Sequence, residues 1–207
     1  MNGGPLVYVI DDDESVCRAL SRLIRSVGLD VETFPSAKAF LERKPIDRPA
    51  CLVLDVRLPG ASGLDLQTSL GQAQATMPII FITGHGNVPM SVRAMKGGAL
   101  DFLQKPFHDQ ELLDAIQRAL AHSRSARLDE AERASIERRL ATLTPRELEV
   151  LRLVVRGMLN KQIAAELGAA EKTVKVHRGR VMKKMQVDSV AEVVKMTQRV
   201  GLDNPRA

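Results

Sequence analysis

Tryptophan is missing from these 207 residues, tyrosine occurs once and phenylalanine five times, so only 3% of the chain is aromatic. The two cysteines, Cys17 and Cys51, are too few for a disulfide framework and lack histidines at spacings that would make a zinc site. Both sit in apolar patterns, where a buried reduced thiol is the simplest reading. No apolar run approaches the roughly 20 residues needed to cross a bilayer; Ile79-Ile80-Phe81-Ile82 is among the longest. Met1 to Pro5 has no basic region leading into an apolar one, so the chain is expected to stay in the cytosol without touching a membrane. Hydrophobic residues at 44% and charged residues at 27% exclude a disordered tail or a fibrous repeat. With about 150 residues to a domain, this length allows one large domain or two small ones.

The charge is divided unevenly. Residues 1–121 carry 12 Lys and Arg against 14 Asp and Glu, whereas residues 122–207 carry 18 against 11. From Gly168 to Gln186 there are six basic side chains, Lys172, Lys175, Arg178, Arg180, Lys183 and Lys184, against the single Glu171. Such a run is either a solvated helix face or a nucleic-acid footprint.

Along the first part, short apolar runs alternate with amphipathic stretches. Leu6 to Ile10, Val31 to Phe34, Cys51 to Leu54, Ile79 to Ile82 and Asp101 to Leu103 read as strands. Ser15 to Val27, Ser36 to Glu42, Leu64 to Leu70, Val88 to Lys96 and Asp109 to Ala121 read as the helices between and after them. Five β-then-α units imply an α/β fold, a doubly wound parallel sheet covered on both faces, with chemistry outside the carboxyl ends of its strands. From His122 to Leu143 Gly and Pro vanish, and Leu128, Ile136, Leu140 and Leu143 leave a thin apolar stripe, as expected of a charged helical linker. Thr144-Pro145-Arg146-Glu147 then starts a helix with a capping Thr, Pro at the first position and Glu three residues after the cap. Asn160 to Leu167, Lys172 to Met185 and Ser189 to Val200 complete an all-α, four-helix second domain.

Asp11, Asp12 and Asp13 follow the first strand, and Asp55 follows the third. Adjacent parallel strand ends lie close together, so these carboxylates converge; like charges so placed call for a cation, and oxygen donors with open positions suit Mg²⁺. Capping of the next helix would explain Asp11 to Asp13 but not their pairing with Asp55. Thr83 and Lys105 end two further strands, and a hydroxyl and an ammonium aimed at the same spot would hold the oxygens of a phosphoryl group.

Asp11-Asp12, the stretch Asp55 to Gly60 with Gly63, Thr83-Gly84 and Lys105-Pro106-Phe107 resemble the receiver domain of bacterial two-component response regulators, over residues 5–121. The resemblance implies a five-stranded, flavodoxin-like sheet in which Asp55 accepts a phosphoryl group from a sensor histidine kinase. It implies that Asp12, Asp55 and the backbone carbonyl of Arg57 bind Mg²⁺, with Asp11 assisting through water, and that the Lys105-Pro106 bond is cis. Thr83 and Phe102 would be switch residues, Thr83 moving toward the phosphoryl group and Phe102 swinging inward; burial as core is an equally simple reading of Phe102. Self-phosphotransfer and autodephosphorylation would be the only catalysis.

In the basic half, a short helix, a Gly-containing turn and a basic helix whose first turns carry Lys172, Thr173, Lys175 and Val176 fit the major groove of DNA. The stretch Leu143 to Glu147, with Gly157, Asn160-Lys161, Ile163-Ala164, Leu167 and Thr173 to His177, resembles the LuxR-type helix-turn-helix of NarL/FixJ-class regulators. The resemblance covers about residues 140–200, and with the charged stretch as a linker at 122–142 the helix-turn-helix domain is expected over 143–200. It implies that Lys175 and Val176 read bases, that Asn160, Lys161, Lys172, Thr173 and Lys184 are phosphate contacts, and that Arg178 is a further candidate. Position 179, often basic in relatives, is Gly.

The expectation is a DNA-binding regulator that dimerises on phosphorylation and engages promoter half-sites. Two other classes compete. An aspartate-nucleophile phosphohydrolase needs a second acid two residues after the nucleophile, where this chain has Arg57. A receiver-controlled protein-docking regulator would leave the basic helix solvated.

Overall fold

Strands apolar along their whole length need cover on both faces, and the computed structural model, which describes residues 4–60, 62–72, 77–84 and 86–202, supplies it. Five parallel strands, β1 (Leu6–Ile10), β2 (Asp30–Phe34), β3 (Ala50–Asp55), β4 (Ile79–Thr83) and β5 (Asp101–Gln104), lie in the order β2-β1-β3-β4-β5. Alternation then sorts each strand's side chains between two cores. Leu6, Tyr8, Ile10, Leu52, Leu54 and Phe81 pack with α2 (Ala37–Leu41), α3 (Gly63–Gln72) and α4 (Val88–Lys96). Val7, Val9, Cys51, Val53, Ile80 and Ile82 pack on the other face with α1 (Glu14–Ser26) and α5 (Asp109–Leu140). Both cysteines are buried free thiols, and burial pushes Cys51 up to about 12. The strand order reverses between β1 and β3, which marks the carboxyl ends of those two strands as the place for a ligand.

The chain divides into two compact units, Met1–Arg127 and Leu128–Ala207. In place of a helix ending near Ala121, α5 continues to Leu140. Of the thin apolar stripe, Leu128 is exposed, but Ile136 is buried in the core of the second unit, with Leu140 and Leu143 packed against it. Spacing of four residues puts Ile136 and Leu140 on one helix face, and Leu143 follows in the turn after α5, so the end of the charged stretch is part of that core. The remaining helices are α6 (Pro145–Val155), α7 (Asn160–Glu166), α8 (Glu171–Met185) and α9 (Val190–Arg199). Thr144 and Glu147 form the expected capping box at α6. Among the described residues no helix is long and apolar enough to cross a membrane.

Candidate functional site

Register brings four strand ends of the first unit together. Ile10 pairs with Leu54, Asp55 with Ile82 and Thr83 with Gln104, so Asp11, Asp55, Thr83 and Lys105 stand side by side. The Lys105 backbone N–H donates to the Thr83 carbonyl at 2.8 Å. Its Nζ reaches over the strand ends and donates to Asp11 Oδ2 at 2.6 Å and to Asp55 Oδ2 at 2.9 Å. The second oxygen of each carboxylate accepts from backbone N–H groups, Asp11 Oδ1 from Asp13 and Asp55 Oδ1 from Arg57, both at 2.9 Å. Lys105-Pro106 is cis.

The three consecutive aspartates do different work. Asp13 caps α1, its side chain accepting from Ser15, and those bonds hold its carboxyl below the usual range. Asp12 is exposed. Asp11 is only 2% exposed, and burial, with the Asp55 charge adding to it, pushes its carboxyl above the usual carboxylate range despite the bond to Lys105. Burial works to discharge Lys105, but its hydrogen bonds to Asp11 and Asp55 outweigh that and hold the ammonium above its ordinary value. One cation is thus shared by two buried carboxylates. Gly63 is fixed by the same corner, because a Cβ there would lie 2.4 Å from the Asp55 backbone oxygen.

Thr83 is buried at the end of β4. Phe102, on β5, is half-buried against the core under α3 and α4, its ring 6.4 Å from that of Phe81. Both readings of Phe102, core side chain and switch, stand on this placement. Among the described residues no group of three or more His, Cys, Asp or Glu side chains is gathered to hold a metal. The donor chemistry still suits Mg²⁺, which needs only one or two carboxylates and otherwise takes carbonyl oxygens and water: Asp11 and Asp55 offer carboxylates bound to one Nζ, and Asp12, next in the chain after Asp11, is exposed.

In the second unit, Val174, Val181 and Met185 bury one side of α8. Lys172, Thr173, Lys175, Val176, Arg180 and Lys183 remain exposed on α8, as does Lys161 in the first turn of α7. Asn160 and Arg178, expected as separate contacts, are bonded to each other, Arg178 Nη1 donating to Asn160 Oδ1 at 2.9 Å. Lys184 differs from expectation. Its Nζ donates inward to Glu147 Oε2 at 2.6 Å and to the Thr142 carbonyl at 2.9 Å, which ties α8 to the start of α6. Sequence gives no hint of this pair, whose members are 37 residues apart and separately explicable as a cap and a surface cation. Glu147 is 2% exposed, and the bond from Lys184, then that from the Thr144 backbone, lowers its carboxyl to about 2. Arg139 likewise donates to the Met185 carbonyl at 3.0 Å, satisfying the end of α8 from the stretch read as linker.

A buried, cation-bridged carboxylate pair at the switch point of a five-stranded parallel sheet and a basic helix-turn-helix define a phosphorylation-type receiver joined to a DNA-binding domain. The chain belongs to the response regulators of two-component systems: the model of the response regulator receiver domain matches residues 7–117, and that of the bacterial regulatory proteins of the luxR family matches residues 141–197. It is 53% identical over 197 residues to nodulation protein W of Bradyrhizobium diazoefficiens, covering 95% of this chain and 87% of that one. It is 47% identical over 195 residues to the response regulator protein TodT of Pseudomonas putida, covering 94% and 86%. Among solved structures, that of the response regulator StyR matches with a TM-score of 0.85 at 48% identity, covering 95% of this chain and all of that one. The chain is a transcriptional regulator of this class, with a receiver and a LuxR-type domain.

Proposed function

We propose that Asp55 is the phosphoacceptor and that its phosphorylation by a sensor histidine kinase in the cytoplasm controls promoter binding by α8. The observation that carries the reading is the Lys105 ammonium, 2.6 Å from Asp11 and 2.9 Å from Asp55 at the carboxyl ends of the strands. In the transfer, an Asp55 oxygen attacks phosphorus in line; the bond from phosphorus to the donor imidazole breaks as the new oxygen–phosphorus bond forms, and the imidazole leaves with its proton restored from solvent. Lys105 then neutralises transferred oxygens instead of the bare carboxylate. Asp12, Asp55 and the Arg57 carbonyl would hold Mg²⁺, with Asp11 assisting through water; bound there, the ion supplies charge neutralisation on the phosphoryl oxygens. Catalysis ends at self-phosphotransfer and hydrolysis of the acyl phosphate.

Thr83 donates its hydroxyl to the new group and Phe102 moves into the space released, which shifts a two-state equilibrium of the receiver. The favoured state pairs with a second copy of the chain. Val88, Val92 and Met95 recur on one side of α4 and leave large apolar side chains exposed, a stripe that a self-complementary partner would cover. Two copies present two α8 helices to paired half-sites: Lys175 and Val176 read bases, and Lys161, Lys172 and Thr173 hold phosphates, with Arg178 and Asn160 acting as one hydrogen-bonded unit.

Incubation with a small phosphodonor and Mg²⁺ should label the protein, and Asp55→Asn should abolish the label completely. A labelled Asp55→Asn variant would place the acceptor elsewhere.

A further inference from the structure

A glycine inside a protein normally has an internal reason. Among the described residues six glycines adopt positive φ, and at Gly63, Gly86 and Gly97 an added Cβ would meet a neighbour at 3.0 Å or less. Gly179 has neither reason: its φ is not positive, and a Cβ there would meet nothing within 4 Å. It is nonetheless the ninth of the fifteen residues of α8, in a helix interior, where glycine is disfavoured against alanine. Gly71 has the same two traits, but it is the penultimate residue of α3, where little helix remains to be weakened. Gly4 and Gly84 lie outside helices.

Gly179 lies on the open side of α8. Lys175 and Val176 stand one turn before it and Lys183 one turn after it, all exposed. Together they frame a one-residue gap whose floor is helix backbone, with its N–H and C=O groups already engaged along the helix. A floor without free donors or acceptors, next to the Val176 methyls, is complementary to an apolar group. The apolar group on the major-groove edge of a base pair is the C5-methyl of thymine.

We propose that Gly179 is a specificity-determining notch, which lets a thymine methyl approach the α8 backbone beside Val176 more closely than any side chain at position 179 would permit. The proposal rests on α8 being the DNA-reading helix and adds to that reading the base it selects. It also accounts for a glycine that weakens its own helix.

The test uses the full chain with phosphodonor and Mg²⁺, and a pool of random-sequence duplexes from which wild-type protein selects a site. Gly179→Ala should raise the melting temperature of the second unit and weaken binding to the selected duplex by about fivefold or more, the scale of one lost base preference. Binding to an unselected random duplex should not change. Replacing individual thymines of the selected site by deoxyuridine, which removes only the methyl, should weaken wild type at one position per half-site and leave Gly179→Ala indifferent there. Gly71→Ala, a helix-glycine change in the other unit, should leave DNA binding as it is. Equal weakening on selected and random duplexes, unaltered binding by Gly179→Ala, or wild-type indifference to deoxyuridine at every position would each overturn the proposal. If wild type itself selects no sequence, the DNA-reading assignment of α8 falls, and the notch with it.

Discussion

Each unit holds one lysine 2.6 Å from a buried carboxylate, and the two carboxylates respond in opposite directions. Glu147 is lowered to about 2, whereas Asp11 is raised. Distance does not separate them: at Asp11 burial outweighs the bonds from Lys105 and the Asp13 backbone, with the Asp55 charge adding to it, whereas at Glu147 the bond from Lys184 is the largest influence. Glu147 has Lys184 and also accepts from the Thr144 backbone N–H at the start of α6, where a negative charge suits the helix end. Asp11 must share Lys105 with Asp55, so two negative charges face one positive charge in a place largely closed to water. The first arrangement is complete and acts as a clamp. The second is short of one positive charge, which is what a site needs if it is to bind a cation and exchange a phosphoryl group.

Glu147→Gln removes a charge whose partner stays in place, which should destabilise the second unit at neutral pH by about 2 kcal/mol, below the usual range for a broken buried pair because Lys184 is partly exposed. Because the folded-state carboxyl lies below its ordinary value of 4.5, its contribution is fully present above that pH and is lost as pH falls toward 2. Hydrogen-exchange protection of α6 and α8 should show that decline in wild type and a flatter profile in the variant. Equal pH profiles would mean that the pair adds nothing.

Asp11 should behave in the opposite sense, with a smaller effect. Its folded-state carboxyl lies above the ordinary 3.8, so the ionised form is the costly one and the penalty is present at neutral pH. Without divalent cations, Asp11→Asn should raise the melting temperature of the first unit. Wild type should gain stability in this unit as pH falls through the raised value, while the second unit loses it. Added Mg²⁺ should narrow the difference between wild type and Asp11→Asn; a destabilised Asp11→Asn would show that Lys105 compensates both carboxylates.

What the sequence discloses follows the same division. β1, β3 and β4, buried on both faces, read as apolar runs whose carboxyl ends can be located to the residue, so Asp11, Asp55 and Thr83 are legible in the sequence, and Lys105 stands just beyond the shorter run from Asp101 to Leu103. Chain order supplies that site, because each member ends a recognisable strand or stands within two residues of its end. The Glu147–Lys184 clamp is illegible for the converse reason: it depends on how α8 packs against α6, and each residue has a sufficient local explanation on its own. The stripe from Leu128 to Leu143 is intermediate. Its sparse apolar residues satisfy the pattern of a solvated linker, and only the core formed by α6 to α9 shows that Ile136 and Leu140 have something to pack against.

The exposed and the inward-turned lysines of the second unit can be separated by salt. A side chain that neutralises one phosphate releases about 0.9 of a counterion from duplex DNA, so Lys172→Ala should reduce the slope of log affinity against log salt by about that much and leave the melting temperature unchanged. Lys184 carries the same charge twelve residues further along the same helix, but its Nζ is held by Glu147 and the Thr142 carbonyl. Lys184→Ala should therefore lower the melting temperature with the salt slope intact. If both variants shifted the slope alike, Lys184 would have to leave Glu147 on binding, and the clamp would be a resting contact that DNA displaces.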